Sequence, residues 1–322
     1  MTIEYITLKP SGDKMPLIGF GCAKIEPDAT AEVIYNAIKT GYRLFDGGSN
    51  YYNEKEVGDG IRKAIADGLV EREELFVISK LWNTHHGKDH VRLALEKSLQ
   101  DLGLDYVDMF LCHFPIALEH VPIETKYPAG WCVPGKTQVT RARAPMHECW
   151  AAMEACVDAG LARNIGVSNF NVQMLMDLLS YCRIQPSLLQ VELHPYLQQR
   201  ILVDWVQRQG IAVTAYSSFG PASFAAGGLK HAKSVQSLFD NPTIKDIAAK
   251  YNTSPAQVAL RWSLERNVGV VPKSLSVERM KNNLEALNWK MDEEDVQAIN
   301  QLDMGLRFND PIIKGWDLPI FY

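Results

Sequence analysis

Leu17-Ile18-Gly19-Phe20-Gly21-Cys22-Ala23 is the stretch on which the fold turns. It is a short apolar run, and Gly19-Phe20-Gly21 resembles the start of the glycine-rich turn that follows the first strand of an open nucleotide-binding sheet. That turn needs a third glycine for close packing of helix on strand. Here Gly21 is followed by Cys22 and Ala23, with no third glycine in place. Outward from this run the same rhythm repeats. Arg43–Phe45, Leu75–Ser79, Tyr106–Cys112, Ala162–Val167, Leu188–Val191, Ala212–Tyr216 and Val268–Val271 are short, apolar and mostly rich in Val, Ile, Leu, Phe or Tyr, as strands are. Ala29–Thr40, Glu54–Asp67, Asp89–Leu102, Met146–Ala159, Val172–Tyr181, Gln199–Gln209, Pro255–Glu265 and Val277–Ala286 carry apolar residues at helical spacing. Eight β-then-α units fit a closed parallel barrel or a doubly wound open sheet. The missing fingerprint favours the barrel, an α/β fold of the (β/α)8 TIM type.

Upstream, Ile6 to Pro16 reads as a hairpin turning at Ser11-Gly12-Asp13, placed to cap the bottom of the barrel. Three stretches break the rhythm. His113 to Pro145 holds four prolines before Pro145 and no sustained period; Ser217 to Phe239 is rich in Gly, Ala and Ser; Asp303 to Tyr322 is an aromatic tail. Loops that follow barrel strands sit at the catalytic face, and long loops in compact domains are often functional. No linker divides the chain, so residues 1–322 are expected to form one domain.

Composition narrows the function classes. The chain has 322 residues, 47% hydrophobic and 22% charged, with a net charge of −5. That charge argues against a nucleic-acid surface. Neither a signal-peptide pattern nor an apolar run of membrane-spanning length is present. Cys22, Cys112, Cys132, Cys149, Cys156 and Cys182 show no CxxC spacing and several lie in apolar runs, which suits free thiols in the cytoplasm. A monomer or a homodimer is expected.

Four polar residues fall at or just past the ends of successive strands: Asp46 and Tyr51 after the second, Lys80 at the third, His113 after the fourth. Singly, each has an ordinary structural use in packing or at the surface. Together at one mouth they suit proton donation to a carbonyl. Hydride addition to C=O develops an alkoxide that must be protonated. A free tyrosine, with a pKa of about 10, is a sluggish acid at neutral pH. A neighbouring ammonium, Lys80 held by Asp46, is expected to lower that pKa. His113 would hydrogen-bond the carbonyl oxygen.

The segments Phe45-Asp46-Gly47 with Tyr51-Tyr52-Asn53-Glu54, Ile78-Ser79-Lys80-Leu81-Trp82 and Cys112-His113-Phe114-Pro115 resemble the Asp-Tyr-Lys-His tetrad motifs of the aldo-keto reductases. So do Ile165-Gly166-Val167-Ser168-Asn169-Phe170, Gln190-Val191-Glu192-Leu193-His194-Pro195-Tyr196 and Val271-Pro272-Lys273-Ser274. Within that superfamily, Gly41 to Gly47, Tyr216 to Pro221 and Gly305 to Pro311 are similar to the fungal and yeast D-xylose reductases. The resemblance implies an NADPH-dependent reductase from a fungal source. It implies nicotinamide against Tyr216, a carboxamide held by Ser168, Asn169 and Gln190, a pyrophosphate path along Ser217, Ser218 and Phe219, and adenine near Asn283. Lys273, Ser274 and Arg279 cluster at the start of the last barrel helix, where a helix N-terminus plus two cations suits a 2′-phosphate.

Departures from the pattern are informative. The dual-cofactor xylose reductases usually carry Asn where Leu275 stands, and some carry Glu where Ala226 stands. Losing both polar contacts points to NADPH over NADH. The substrate mouth would be lined by Trp82, Phe114, Trp131, Asn309 and the C-terminal tail, with Asn309 matching a sugar-hydroxyl contact. Xylose reductases have Trp where Ala23 stands and Asp where Asn50 stands, and the loop from Thr125 to Ala144 looks unlike theirs. The wider, less charged pocket suggests a bulkier carbonyl of specialised metabolism; the alternative is an aldose reductase proper. Two other classes stand beside these: a non-catalytic NADPH-binding regulatory barrel, and a Schiff-base aldolase using Lys80. His85, His86 and His90 lack a clustered carboxylate at ligand spacing, so no metal site is expected and a solvated surface is their expected place.

Overall fold

The computed structural model describes residues 3–225 and 228–322. Strands β1 (Tyr5–Thr7) and β2 (Lys14–Pro16) form the expected antiparallel hairpin, with Tyr5 opposite Pro16. Gly12 sits at its turn with φ +83°, a left-handed value that costs glycine nothing, and its N–H donates to Leu8 O. Eight parallel strands follow: β3 (Phe20–Gly21), β4 (Leu44–Asp46), β5 (Phe76–Leu81), β6 (Val107–Cys112), β7 (Ala162–Ser168), β8 (Leu188–Glu192), β9 (Ala212–Tyr216) and β10 (Gly269–Val270). Each pairs with its neighbour in chain order. Ile18 bridges Val270 in parallel, and the N–H groups of Gly19 and Val270 each donate across the seam at 2.8 Å, so the sheet closes on itself. The fold is the (β/α)8 barrel.

Helices α1 (Pro27–Thr40), α2 (Glu54–Ala66), α3 (Lys88–Leu102), α4 (Met146–Asp158), α5 (Val172–Tyr181) and α6 (Arg200–Arg208) follow the first six barrel strands. The Ser217–Phe239 stretch holds two single turns, α7 (Ala222–Ala225) and α8 (Lys230–Lys233). Then come α9 (Pro242–Lys250), α10 (Pro255–Glu265), α11 (Val277–Leu284) and α12 (Glu293–Asn300). Helices α9 and α12 lie outside the eight expected from periodicity. Their start signals are nevertheless present: Asn241 caps α9 with Pro242 at its first turn, and Glu293, Glu294 and Asp295 supply the acidic first turn of α12.

Alternation along the strands sorts the chemistry. Leu44, Phe76, Ile78, Met109, Leu111, Leu188 and Ala212 point into the barrel and form one apolar cluster with Leu8 and Met15 of the hairpin segment. The hairpin therefore plugs the end from which the strands start, and removing the Met15 side chain would cost about 2–5 kcal/mol. Two residues further along each strand, at the same face, the inward residues turn polar: Asp46 after Leu44, Lys80 after Ile78, His113 after Leu111, Gln190 after Leu188. The opposite faces, with Phe45, Val77, Phe110, Ile165, Leu189 and Val213, pack into the larger core beneath the helices. The strands' period of two thus places a set of polar groups at the C-terminal mouth of an apolar plug.

Candidate active site

Lys80 is completely buried on β5, and its amine is fixed by two acceptors, Asp46 Oδ1 at 2.8 Å and Gly47 O at 2.7 Å. Gly47 is required by close approach, since a Cβ there would stand 2.9 Å from Ile78 O. Behind it the chain makes one tight turn, Ser49–Tyr51, tied to β5 by Ser49 Oγ donating to Lys80 O at 3.2 Å. That turn sets the Lys80 amine 5.0 Å from the ring centroid of Tyr51. The adjacent Tyr52 faces outward and is 50% exposed. Burial works to lower the Lys80 pKa, but Asp46 and Tyr51 outweigh it, so the amine stays charged above the ordinary lysine value.

The Tyr51 pKa departs from expectation. The Lys80 ammonium does pull it down, but burial is the larger effect and the phenol is pushed up to about 12. At neutral pH Tyr51 therefore keeps its proton. His113 meets Tyr51 edge-on at 5.8 Å between ring centroids and Trp82 edge-on at 5.3 Å. Burial, then Lys80 and Lys314, hold its pKa well below the ordinary histidine value, so it is a neutral imidazole.

The residues expected to hold cofactor adjoin this group. Gln190 Nε2 donates to Asp46 Oδ2 at 2.5 Å, and Ser168 Oγ donates to Gln190 O at 2.8 Å. Asn169, in the left-handed region at φ +65°, donates from Nδ2 to His113 O at 2.8 Å and accepts the Tyr216 hydroxyl at 2.6 Å. Such strain in a non-glycine residue persists where surrounding bonds over-determine it. Ser217 is also left-handed, at φ +56°, and the Ser218 hydroxyl is buried without a partner among the described residues. Phe219 packs against Phe239 at 5.4 Å. Beyond β10, Lys273 Nζ donates to Lys24 O at 3.3 Å, and burial followed by the Lys273 charge lowers the Lys24 pKa. Ser276 caps α11, with Ser274 bonded to it and Arg279 and Leu275 exposed beside it; Asn283 is buried one turn on. An unpartnered serine hydroxyl, two cations under mutual repulsion and a helix N-terminus fit an elongated phosphate-bearing dinucleotide. Ala226 lies outside the described residues.

The mouth is walled by aromatic rings. Trp82 and Trp131 meet at 5.1 Å, Phe114 and Trp131 at 5.2 Å, and Trp131 and Trp316 stack at 6.4 Å. Trp316 is the ring by which the C-terminal tail, expected at this mouth, reaches Trp131. Asn50 Oδ1, beside Tyr51, is buried with no partner among the described residues, and Ala23 is half-buried in the turn after β3. Asn309 donates from Nδ2 to Tyr216 Oη at 2.8 Å, and its own position is set by Glu192. That fully buried carboxylate accepts Phe308 N–H at 2.9 Å and Asn309 N–H at 2.7 Å. Glu192, Lys24, Lys314 and Trp316 belong to the site and were not singled out from sequence.

The histidine expectation is corrected. His85 and His86 are buried, and His85 meets the ring of His120 edge-on at 5.0 Å, while His90 and His120 stack at 3.6 Å. Among the described residues no group of three or more His, Cys, Asp or Glu is arranged to hold a metal ion, and no helix is long and apolar enough to cross a membrane.

Comparison with known proteins adds an independent line. The model of the Aldo/keto reductase family matches residues 17–304. The chain is 52% identical to 4-dihydromethyl-trisporate dehydrogenase of Mucor mucedo over the whole of both chains. It is 51% identical to NAD(P)H-dependent D-xylose reductase I,II of Candida tropicalis, covering 99% of this chain and 98% of that one. It is 50% identical to a probable NAD(P)H-dependent D-xylose reductase of Aspergillus terreus, covering 97% of each.

Proposed function

The chain belongs to the aldo/keto reductase family, and from that premise we propose how its residues divide the work and which carbonyl it takes. The activity is NADPH-dependent carbonyl reduction. When bound, NADPH supplies the hydride. Tyr51 gives the proton to the developing alkoxide, and a phenol at about 12 is the right donor, because it is fully protonated at neutral pH yet far more acidic than an alcohol. Lys80, anchored by Asp46, stabilises the tyrosinate left behind. His113, neutral, donates to the carbonyl oxygen and fixes its angle. Ser168, Asn169, Gln190 and Tyr216 would hold the nicotinamide; Ser217, Ser218 and Phe219 would meet the pyrophosphate; Lys273, Ser274, Arg279 and Asn283 would hold the adenosine 2′-phosphate end. With Leu275 apolar and exposed, NADPH is preferred over NADH.

The relatives at about the same identity are named for a trisporate and for D-xylose, so identity does not choose the carbonyl. The observation that supports a bulky, largely apolar substrate is the aromatic wall of Trp82, Phe114, Trp131 and Trp316 beside His113. Ala23 widens it, and Asn50 offers no charge to a sugar hydroxyl. The reading extends to one domain over residues 1–322, a monomer or homodimer working in the cytoplasm without nucleic-acid or membrane partners.

A panel of xylose, arabinose, aromatic aldehydes and cyclic ketones, each with NADPH and NADH, tests it. Higher kcat/KM for aromatic aldehydes or ketones than for either pentose is expected, with NADPH ahead. Filling the gap with Ala23→Trp should reduce turnover of the bulky carbonyls about tenfold or more while sparing glyceraldehyde. A native preference for xylose that Ala23→Trp leaves unchanged establishes the aldose reductase instead. Equal kcat/KM for the two cofactors contradicts the NADPH preference.

A further inference from the structure

A lysine in the C-terminal tail enters the site without an ionic partner. After Glu192 pins Phe308 and Asn309, the chain makes a compact turn in which Lys314 N–H donates to Asp310 O and Trp316 N–H to Pro311 O. Lys314 is exposed, and its amine donates to Asn309 Oδ1. From there hydrogen bonds run unbroken: Asn309 Nδ2 to Tyr216 Oη at 2.8 Å, Tyr216 Oη to Asn169 Oδ1 at 2.6 Å, and Asn169 Nδ2 to His113 O at 2.8 Å. The amine thus stands at the mouth, on the same turn as Trp316.

Nearby carboxylates do not neutralise it. Among the described residues none lies within 4.0 Å of the Lys314 amine. Glu192 is committed to two backbone N–H groups and to His194 Nε2, and Asp310 to Ile312 N–H and the Tyr322 hydroxyl. Desolvation, followed by the charge of Lys24, pushes the Lys314 pKa below the ordinary lysine value, in keeping with the lack of a carboxylate beside it. Two anions could meet it: a phosphate of the cofactor or a carboxylate of the substrate. The Lys273 amine donates to the Lys24 backbone carbonyl beside the α11 N-terminus, whereas Lys314 is held by Asn309 and shares its turn with Trp316, whose ring stacks on Trp131.

We propose that Lys314 reads a carboxylate on the substrate, so that the preferred carbonyl compound is an amphipathic acid. Its apolar body lies on Trp82, Trp131 and Trp316, and its anionic end reaches the tail. This rests on the carbonyl reductase reading. Asn309 then positions the lysine rather than a sugar hydroxyl.

The test compares 4-carboxybenzaldehyde with methyl 4-formylbenzoate, which share an aldehyde and ring and differ in charge. The wild-type enzyme should show the higher kcat/KM on the acid. Lys314→Met should lower the acid-to-ester ratio about tenfold or more, chiefly through KM for the acid, because a charge-assisted hydrogen bond is lost. Lys314→Arg should retain the preference. The Kd of NADPH, followed by quenching of protein fluorescence, should move by less than about twofold in Lys314→Met, since no phosphate contact is removed. A wild-type preference for the ester, or a ratio unchanged in Lys314→Met, overturns the proposal and leaves the reductase reading standing. Weakened NADPH binding with both aldehydes affected alike assigns Lys314 to the cofactor phosphates and also overturns it. Failure of the wild type to reduce any aldehyde with NADPH removes the reductase reading, and the proposal with it.

Discussion

Gln190 and Asp46 are joined by a 2.5 Å hydrogen bond across the barrel mouth, 144 residues apart in sequence. Asp46 therefore serves two masters, Lys80 through Oδ1 and Gln190 through Oδ2. The residue expected to hold the nicotinamide carboxamide is also a brace on the carboxylate that fixes Lys80, beside the proposed proton donor Tyr51.

Gln190→Leu should accordingly damage chemistry as well as cofactor affinity. A hydrogen bond to a buried charged group is worth roughly 1.5–3 kcal/mol, or about tenfold to hundredfold in rate. The expected result is a fall in single-turnover reduction at saturating NADPH of that size. If only the Kd of NADPH rises and the saturated rate is intact, the brace is without catalytic consequence.

Lys80→Met removes one partner of a completely buried ion pair and should destabilise the fold by about 3–5 kcal/mol while abolishing reduction. Lys80→Met combined with Asp46→Leu should regain most of the stability and none of the activity. Denaturant unfolding beside a turnover assay reads both. Recovery of activity in the double variant would make the pair purely structural.

The tail is anchored by a buried charge. Glu192→Ala deprives Phe308 and Asn309 of their acceptor. Amide exchange from Arg307 to Lys314 should accelerate and KM for the carbonyl should rise about tenfold, given roughly 1.5–3 kcal/mol for each charge-assisted bond. Unaltered exchange would show that the tail is held by its aromatic contacts instead.

Glu54 gives a pH signature. Burial pushes its carboxyl from the ordinary 4.5 up to about 7, with Ser79 Oγ donating to it at 2.5 Å. Between those values the folded chain holds a proton that the unfolded chain has released, so the contribution of this group to stability falls as pH rises from about 4.5 to 7. His85 and His86, lowered by burial from 6.5 to about 4 and about 3, slope the other way: their contribution is complete above 6.5 and is lost as pH falls below it. Because the slopes oppose, the variant difference is the useful quantity. Glu54→Gln should gain on the wild type between pH 5 and pH 8, by on the order of 3 kcal/mol at the upper end. A difference independent of pH contradicts the buried, raised carboxyl.

How far the sequence alone reaches follows from the range of the interactions. Asp46, Lys80 and His113 stand out as candidates because strand ends are visible as ends of apolar runs, whereas Gln190 enters only through the family resemblance. Helices α9 and α12 announced themselves only through caps, since their apolar stripes are short. The direction of the Tyr51 pKa was misread because one ammonium can be counted in sequence, whereas burial depends on everything that packs around the ring. His85 and His86 were assigned to the surface for the same reason. Glu192 and Lys314 escaped notice because their partners, Phe308 and Asn309, arrive from a tail that has no periodicity to read.

The central claim is that Tyr51, not its neighbour, protonates the substrate. Tyr51→Phe keeps the ring and removes the proton, so single-turnover reduction with saturating NADPH should fall by roughly 10²–10⁴-fold, while NADPH still binds. Tyr52→Phe, at an outward and half-exposed ring, should retain nearly full activity. An active Tyr51→Phe enzyme, or a dead Tyr52→Phe enzyme beside it, would contradict the assignment.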